Sequence, residues 1–156
     1  MEKILKGYMR MPRAYLKGGS NLKTVITYGT FDLLHYGHLN LLKRASLLGD
    51  RLIVGVSTDE FAYKKGKNTV FSCEKRMEYI SDLKYVSEVI PEHCMSQKVE
   101  DILKYNVDIF LLGDDYAETF LKMPEYDQIK NLCEVVFLPR TPDISTTMLK
   151  EKLLIH

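Results

Sequence analysis

Only three cysteines occur among 156 residues, Cys73, Cys94 and Cys133, and neither a CxxC pair nor Cys/His ligand spacing connects them. An odd count without such spacing excludes a disulfide framework and offers no zinc site, and the protein is expected to hold no metal through its own side chains. Charge of one sign is equally scarce. Lys plus Arg number 22 against 21 Asp plus Glu, a formal net charge of +1. A chain so balanced has no global attraction for nucleic acid or an acidic partner, so any positive site must be local. No apolar run approaches the ~18 residues that span a bilayer, and no charged-then-apolar leader with a small-residue cleavage site is present. The expectation is a soluble, unsecreted, cytoplasmic protein. With 46% hydrophobic and 28% charged residues, the composition suits one globular domain around a single core.

Residues 1–23 carry six Lys or Arg against one acid and end in a turn-rich Lys17-Gly-Gly-Ser-Asn21 stretch. They are expected to form a basic N-terminal extension, dispensable or locally packed. Residues 24–156 are expected to form a single catalytic domain. From Thr24, short apolar runs alternate with helix-length amphipathic segments. The runs are Val25–Tyr28, Leu52–Val56, Val86–Ile90, Ile109–Leu112 and Val135–Leu138. Between them Leu39, Leu42 and Ala45, then Met77, Ile80 and Leu83, then Val99, Ile102 and Leu103 recur at helical spacing. This predicts an α/β fold with a five-stranded parallel sheet and crossover helices on both faces. Ser72 is predicted to cap the second helix, Gly49-Asp50 to stop the first, and Pro91 to end the third strand. Ligands of such sheets bind beyond the carboxyl ends of the strands, so the segments after each apolar run are where chemistry is expected.

The first such segment is Tyr28-Gly-Thr-Phe-Asp-Leu-Leu-His35-Tyr-Gly-His38. Two imidazoles three residues apart lie close together on an opening helical turn. Gly37 leaves room for a ligand, and the unpaired N–H groups of a helix start favour an anion. This fits a triphosphate better than a metal, since a zinc pair on a helix normally sits at i and i+4 with a third ligand nearby. The second segment, Lys64-Lys-Gly-Lys67, places flexible ammonium groups after the second strand, with Gly66 allowing them to swing. In the third, Arg140-Thr-Pro-Asp-Ile-Ser-Thr-Thr147, Ser and Thr precede a helix that begins near Ser145, suited to capping it or to lending hydroxyls to phosphate.

His35-Tyr-Gly-His38 resembles the HxGH signature of the nucleotidyltransferase superfamily. Leu138-Pro-Arg-Thr-Pro-Asp-Ile-Ser-Thr-Thr147 is similar to the RTxGISTT motif of its cytidylyltransferase family. Thr27-Tyr-Gly-Thr-Phe-Asp-Leu-Leu-His35 resembles the members that use glycerol 3-phosphate, and the similarity runs over residues 24–151. The resemblance implies a Rossmann-like nucleotidyltransferase fold, a homodimer, and the joining of CTP to glycerol 3-phosphate as CDP-glycerol, a precursor of glycerol-phosphate polymers, with release of pyrophosphate and help from Mg²⁺. It further implies catalytic roles for His35, His38, Lys65 and Arg140. The nucleotide would be held by Thr30, Phe31, Gly37, Lys67, Thr141, Ile144, Ser145, Thr146 and Thr147 together with the histidines and Arg140. Lys65 and Lys98 would hold the acceptor, and Arg76, within the Ser72-to-Lys84 helix, is expected either to reach it as well or to pair with Glu74 or Glu78. HxGH also fits siblings that use ethanolamine phosphate, choline phosphate, a sugar phosphate or FMN, some from ATP, and a nucleotide-binding sensor without catalysis. Two residues depart from the pattern: Asp143 stands where glycine is usual, and Lys84 where arginine is frequent. Asp114 and Asp115 follow the fourth strand, with a loop-ordering, base-contacting or Mg²⁺-linked role open.

Overall fold

The computed structural model describes residues 22–142 and 144–155. The expected extension lies outside the described residues up to position 21, and so does Asp143.

Strands β1 (Thr24–Gly29), β2 (Arg51–Ser57), β3 (Glu88–Glu92), β4 (Ile109–Gly113) and β5 (Glu134–Leu138) form one sheet in the order β3-β2-β1-β4-β5. Every pairing is parallel, with Ile26 opposite Ile53 on one side and Phe110 on the other. Helices α1 (Tyr36–Ser46), α2 (Asp59–Lys64), α3 (Cys73–Ser81), α4 (Gln97–Lys104), α5 (Ala117–Leu121), α6 (Pro124–Leu132) and α7 (Thr146–Ile155) complete the domain, with a 3₁₀ turn at Asp114–Tyr116.

Both faces of the sheet are buried, which is why its strands read as continuous apolar runs. Val25, Leu52, Val54, Ile109 and Leu111 point to one face, where Leu42 and Ala45 of α1 and Ile80 of α3 cover them. Ile26, Ile53, Phe110 and Leu112 point to the other, against Ile102 of α4, Phe120 of α5 and Ile129 of α6. Each fully buried side chain of this size contributes about 1.5–3 kcal/mol. Ser72 caps α3 as expected, its Oγ accepting from the N–H of Lys75 at 3.2 Å.

Two expectations are corrected. Pro91 does not end β3 but lies within it, opposite Val56. β3 is an edge strand, and an edge tolerates a residue with no N–H to donate. Gly66 does not free the lysine loop to swing. It adopts φ +81° and closes a C-cap on α2, with Gly66 N–H donating to Tyr63 O at 2.9 Å and Lys67 N–H to Ala62 O at 2.9 Å. This paired closure fixes the backbone on both sides of Lys65.

The chain runs outward from β1 through β2 to β3, then returns to the far side of β1 for β4 and β5. The carboxyl ends of β1 and β4 therefore flank the switch point where such sheets bind ligands.

Candidate functional site

His35 is the N-cap of α1, with extended backbone at φ −130° and ψ 172°. The N–H groups of Gly37 and His38 donate to its Nδ1 at 3.1 and 3.4 Å, and its own N–H donates to His38 Nδ1 at 3.4 Å. This is a capping box in which imidazoles replace the usual hydroxyl and carboxylate. An Nδ1 that accepts carries no proton, so each neutral ring bears its proton on Nε2. The rings stack with centroids 3.8 Å apart and planes 22° from parallel. The expectation of free backbone N–H groups at this helix start is thus corrected in part: the imidazoles take three of them, those of His35, Gly37 and His38, and present Nε2–H donors instead.

Electrostatics keeps both rings neutral. Burial, reinforced by His35 and Lys67, pulls the pKa of His38 down to about 3, although Asp32 pulls it up. Burial and the Arg140 guanidinium lower that of His35. Gly37 is required by the stack, since a Cβ there would lie 2.8 Å from His35 Cε1 and 3.1 Å from Ile144 Cγ2.

The loop leading to His35 is strained. Phe31 and Leu33 adopt φ +53° and +49°, a left-handed region costly for residues with a Cβ. Several groups that the sequence reading missed hold it there. The Tyr79 hydroxyl donates to Phe31 O, and burial with the charge of Asp32 pushes the phenol up to about 12, so it remains a donor. Buried Asp32 accepts from the N–H groups of Val70 and Phe71 at 2.7 and 3.1 Å and pairs with Lys150 of α7 at 3.4 Å. Its backbone oxygen accepts from the Thr146 hydroxyl at 2.8 Å. One aspartate thereby joins the β1–α1 loop, the segment before α3, and α7. No local pattern marks it, because its partners are far away in sequence.

Thr30 is 7% exposed, and its Oγ1 is the buried side-chain polar atom that lacks a partner among the described residues. A buried hydroxyl without a protein partner beside the histidine loop is free to meet a ligand atom or a water.

The third segment closes over α1. Arg140 N–H donates to Asp114 Oδ1 at 3.0 Å, and its Nη2 to Ile144 O at 3.3 Å. Asp114 therefore orders this loop. Asn40 Nδ2 donates to Thr141 Oγ1 at 3.4 Å, and Arg44 Nη1 to Pro139 O at 3.1 Å. Ser145 Oγ accepts from Met148 N–H at 3.1 Å, which caps α7 and leaves the hydroxyl proton for a ligand. The Thr146 proton is spent on Asp32, so that hydroxyl braces the loop and cannot also donate to phosphate. Thr147 is exposed.

Lys65 and Lys98 converge on one carboxylate. Glu92 accepts from Lys98 Nζ, and its Oε1 lies 3.8 Å from Lys65 Nζ. The Lys98 side chain is 4% exposed and that of Lys65 28%, so Lys98 forms the floor and Lys65 the open wall. Burial and the neighbouring cations Lys67, Lys98 and Arg76 bring the pKa of Lys65 down to about 8 against the opposing pull of Glu92. Lys67 acts electrostatically on both His38 and Lys65, so its charge is felt by both groups.

Arg76 is not a wall of this site. It is fully buried on α3, donating through Nη1 to Thr30 O and Ser57 O at 2.7 and 2.8 Å, through Nε to Phe71 O at 3.0 Å, and through Nη2 to Asp59 at 2.7 Å. Three loops hang on this one guanidinium, so the expected substrate contact is corrected to a strut beneath the site. Lys84, which stands where arginine is frequent, is exposed and precedes the amino end of β3, at the opposite end of the strand from the site.

Residues 26–152 match the family model described as cytidylyltransferase-like. The chain is 51% identical over 132 residues to the glycerol-3-phosphate cytidylyltransferase of Bacillus subtilis (strain 168), covering 85% of this chain and 98% of that one. It is 47% identical to the enzyme of the same name from Staphylococcus aureus, covering 85% and 96%. Among solved structures, a lipopolysaccharide core biosynthesis protein from Thermoplasma volcanium superposes with a TM-score of 0.66 at 30% identity, covering 78% of this chain and 99% of that one.

Proposed function

The chain belongs to the cytidylyltransferase-like family, and from that premise we propose that it condenses CTP with glycerol 3-phosphate to CDP-glycerol and pyrophosphate. The observation that carries the reading is the histidine stack: two Nε2–H donors held by the backbone beside the unpartnered Thr30 hydroxyl.

In this reading the acceptor's phosphate oxygen attacks the α-phosphorus in line, and the bond to the β-phosphate bridging oxygen breaks, so no protein nucleophile is needed. What is needed is fixed donors where negative charge grows. His35 and His38 supply them to the α-phosphate without reorienting, because the capping box has already chosen their tautomer. Thr30 and the backbone at Phe31 and Gly37 flank the same phosphate or the ribose. Arg140 and Lys67 balance the departing pyrophosphate. Thr141, Ile144, Ser145, Thr146 and Thr147 close over the nucleotide, Ser145 through its free hydroxyl proton. The acceptor's phosphate seats against Lys65 and Lys98, whose contact with Met95 Sδ at 3.3 Å is weak enough to yield to a phosphate oxygen.

Among the described residues no group of three His, Cys, Asp or Glu side chains is placed to hold a metal ion. Mg²⁺ is ordinarily held by one or two carboxylates together with substrate phosphates and water. In this reading the ion enters with CTP as part of the substrate. A cytoplasmic homodimer supplying glycerol-phosphate polymers such as teichoic acids belongs to the same proposal, supported by the kinship with the Bacillus and Staphylococcus enzymes. Among the described residues no helix is long and apolar enough to cross a membrane.

The test is a pyrophosphate-release screen that crosses CTP and ATP with glycerol 3-phosphate, ethanolamine phosphate, choline phosphate, a sugar phosphate and FMN, with and without Mg²⁺. The highest kcat/KM is expected for CTP with glycerol 3-phosphate. A higher value for another pair, or release from none, overturns the reading.

A further inference from the structure

The residue that joins the two acceptor lysines stands outside the roles assigned so far. Glu92 is the last residue of β3 and pairs in register with Ser57, the last of β2. Both are fully buried. The Ser57 hydroxyl donates to Glu92 Oε1 at 3.0 Å and accepts from Lys65 Nζ at 2.9 Å, while Lys98 Nζ donates to Glu92 Oε2. The other sides of the two ammonium groups are covered by rings, Lys65 over Phe61 at 4.5 Å and Lys98 over Tyr28 at 4.7 Å. A carboxylate so buried is tolerated only when paired. Here its partners come from α4 and from the C-cap of α2, two elements that no backbone hydrogen bond joins among the described residues.

We propose that Glu92 is the positioning residue of the acceptor subsite, its buried carboxylate holding Lys65 and Lys98 so that both ammonium groups meet one phosphomonoester; the inference rests on the reading of that subsite given above. A lysine stem has many rotamers, and ordering two of them when substrate arrives would weaken binding. Glu92 and Ser57 impose that order beforehand. Glu92 also keeps both ammonium groups charged, since two cations this close, without the anion between them, favour loss of a proton from one. The charged groups facing Lys65 are Glu92 on β3, Lys98 on α4, Lys67 after α2 and Arg76 on α3. The phenols of Tyr28 and Tyr116 face Glu92 from β1 and from the turn after β4.

The experiment measures binding of glycerol 3-phosphate to the full chain by calorimetry across the neutral and alkaline range, alongside KM for the acceptor and for CTP. With Lys65 titrating at about 8, wild-type binding should weaken by up to about tenfold per pH unit above that value. Glu92→Gln should weaken acceptor binding about tenfold at neutral pH and move the alkaline limb down by about one pH unit, with KM for CTP within about twofold of wild type. Ser57→Ala, a smaller change that serves if the Gln variant does not fold, should act in the same direction. An unmoved alkaline limb with unchanged acceptor affinity overturns the proposal. So do equal losses for CTP and acceptor accompanied by a lower Tm, because that is what a purely structural residue would produce. If wild type released no pyrophosphate with any acceptor, the functional reading would fail separately, and the same titrations with inorganic phosphate would still report on Glu92.

Discussion

His35 and His38 each accept a backbone N–H of the same helix start through Nδ1, and so their stacked rings direct both Nε2–H groups outward. The capping role and the catalytic role sit on opposite atoms of one ring, and substitutions can separate them. His35→Ala should lose both, at about 1 kcal/mol of stability for the cap and ~10²–10³ in kcat for the donor. His35→Asn keeps an acceptor at the Nδ1 position but no donor at Nε2. It should hold its Tm near wild type and show the same fall in kcat. Thermal unfolding and steady-state kinetics on the two variants test this. Asn turnover close to wild type would remove His35 from the reaction.

The neutrality of His38 has a consequence for stability. Its pKa is about 3 in the fold, with burial as the main cause, against about 6.5 in the unfolded chain. Between those values the unfolded state binds the extra proton, so stability rises with pH. The contribution is whole above pH ~6.5 and is lost progressively as pH falls toward 3. Tm measured in steps from neutral pH to about 4.5 should therefore fall, and His38→Asn, which cannot titrate, should flatten the decline. Since neither imidazole gains a proton near neutrality, kcat should show no acid limb at the ordinary histidine value.

Gly37 offers a test that leaves every polar group in place. A Cβ at this position would meet His35 Cε1 at 2.8 Å and His35 Nδ1 at 2.9 Å, and Ile144 Cγ2 blocks the other side at 3.1 Å. Gly37→Ala should push the His35 ring off its cap, costing about 1–3 kcal/mol as overpacking and lowering kcat toward that of His35→Ala. Full activity with an unchanged Tm would show that the stack tolerates displacement.

The sheet was legible because all five strands carry apolar residues on both faces, as Val25 and Ile26 do, and three of the segments between them carry helical periodicity. The loops holding chemistry were legible because local residues carry the signal: His35, Gly37 and His38 are adjacent in sequence, as are Arg140 and Thr141. What was illegible depends on distant partners. Pro91 reads as a strand end until β3 is known to be an edge. Lys64-Lys-Gly-Lys67 reads as a swinging loop because six-residue α2, whose C-cap includes Gly66, has too little apolar periodicity to announce itself. Positive φ at Phe31 and Leu33 has no signature, since nothing nearby in sequence shows the Tyr79 and Asp32 contacts that enforce it. Glu92 did leave a trace, an acid that closes the apolar Val89-Ile-Pro run of β3.

Arg76 makes the sharpest contrast between a residue that resembles a ligand contact and one that builds the place where ligands bind. Its guanidinium donates to Thr30 O, Ser57 O and Phe71 O, which lie on three segments bordering the site. Arg76→Ala would leave three acceptors without a donor in a buried position, at about 1–3 kcal/mol each. Relaxation and entering water offset part of this, so the expected loss is about 3 kcal/mol or more. Arg76→Lys retains the charge but has one nitrogen where three are used, and it should recover less than half of that loss. Urea unfolding gives the stabilities, and kinetics on whatever folds gives the second reading. KM for CTP and for the acceptor should rise together, since Thr30 borders one subsite and Ser57 the other. A stable variant with only the acceptor KM raised would return Arg76 to the substrate.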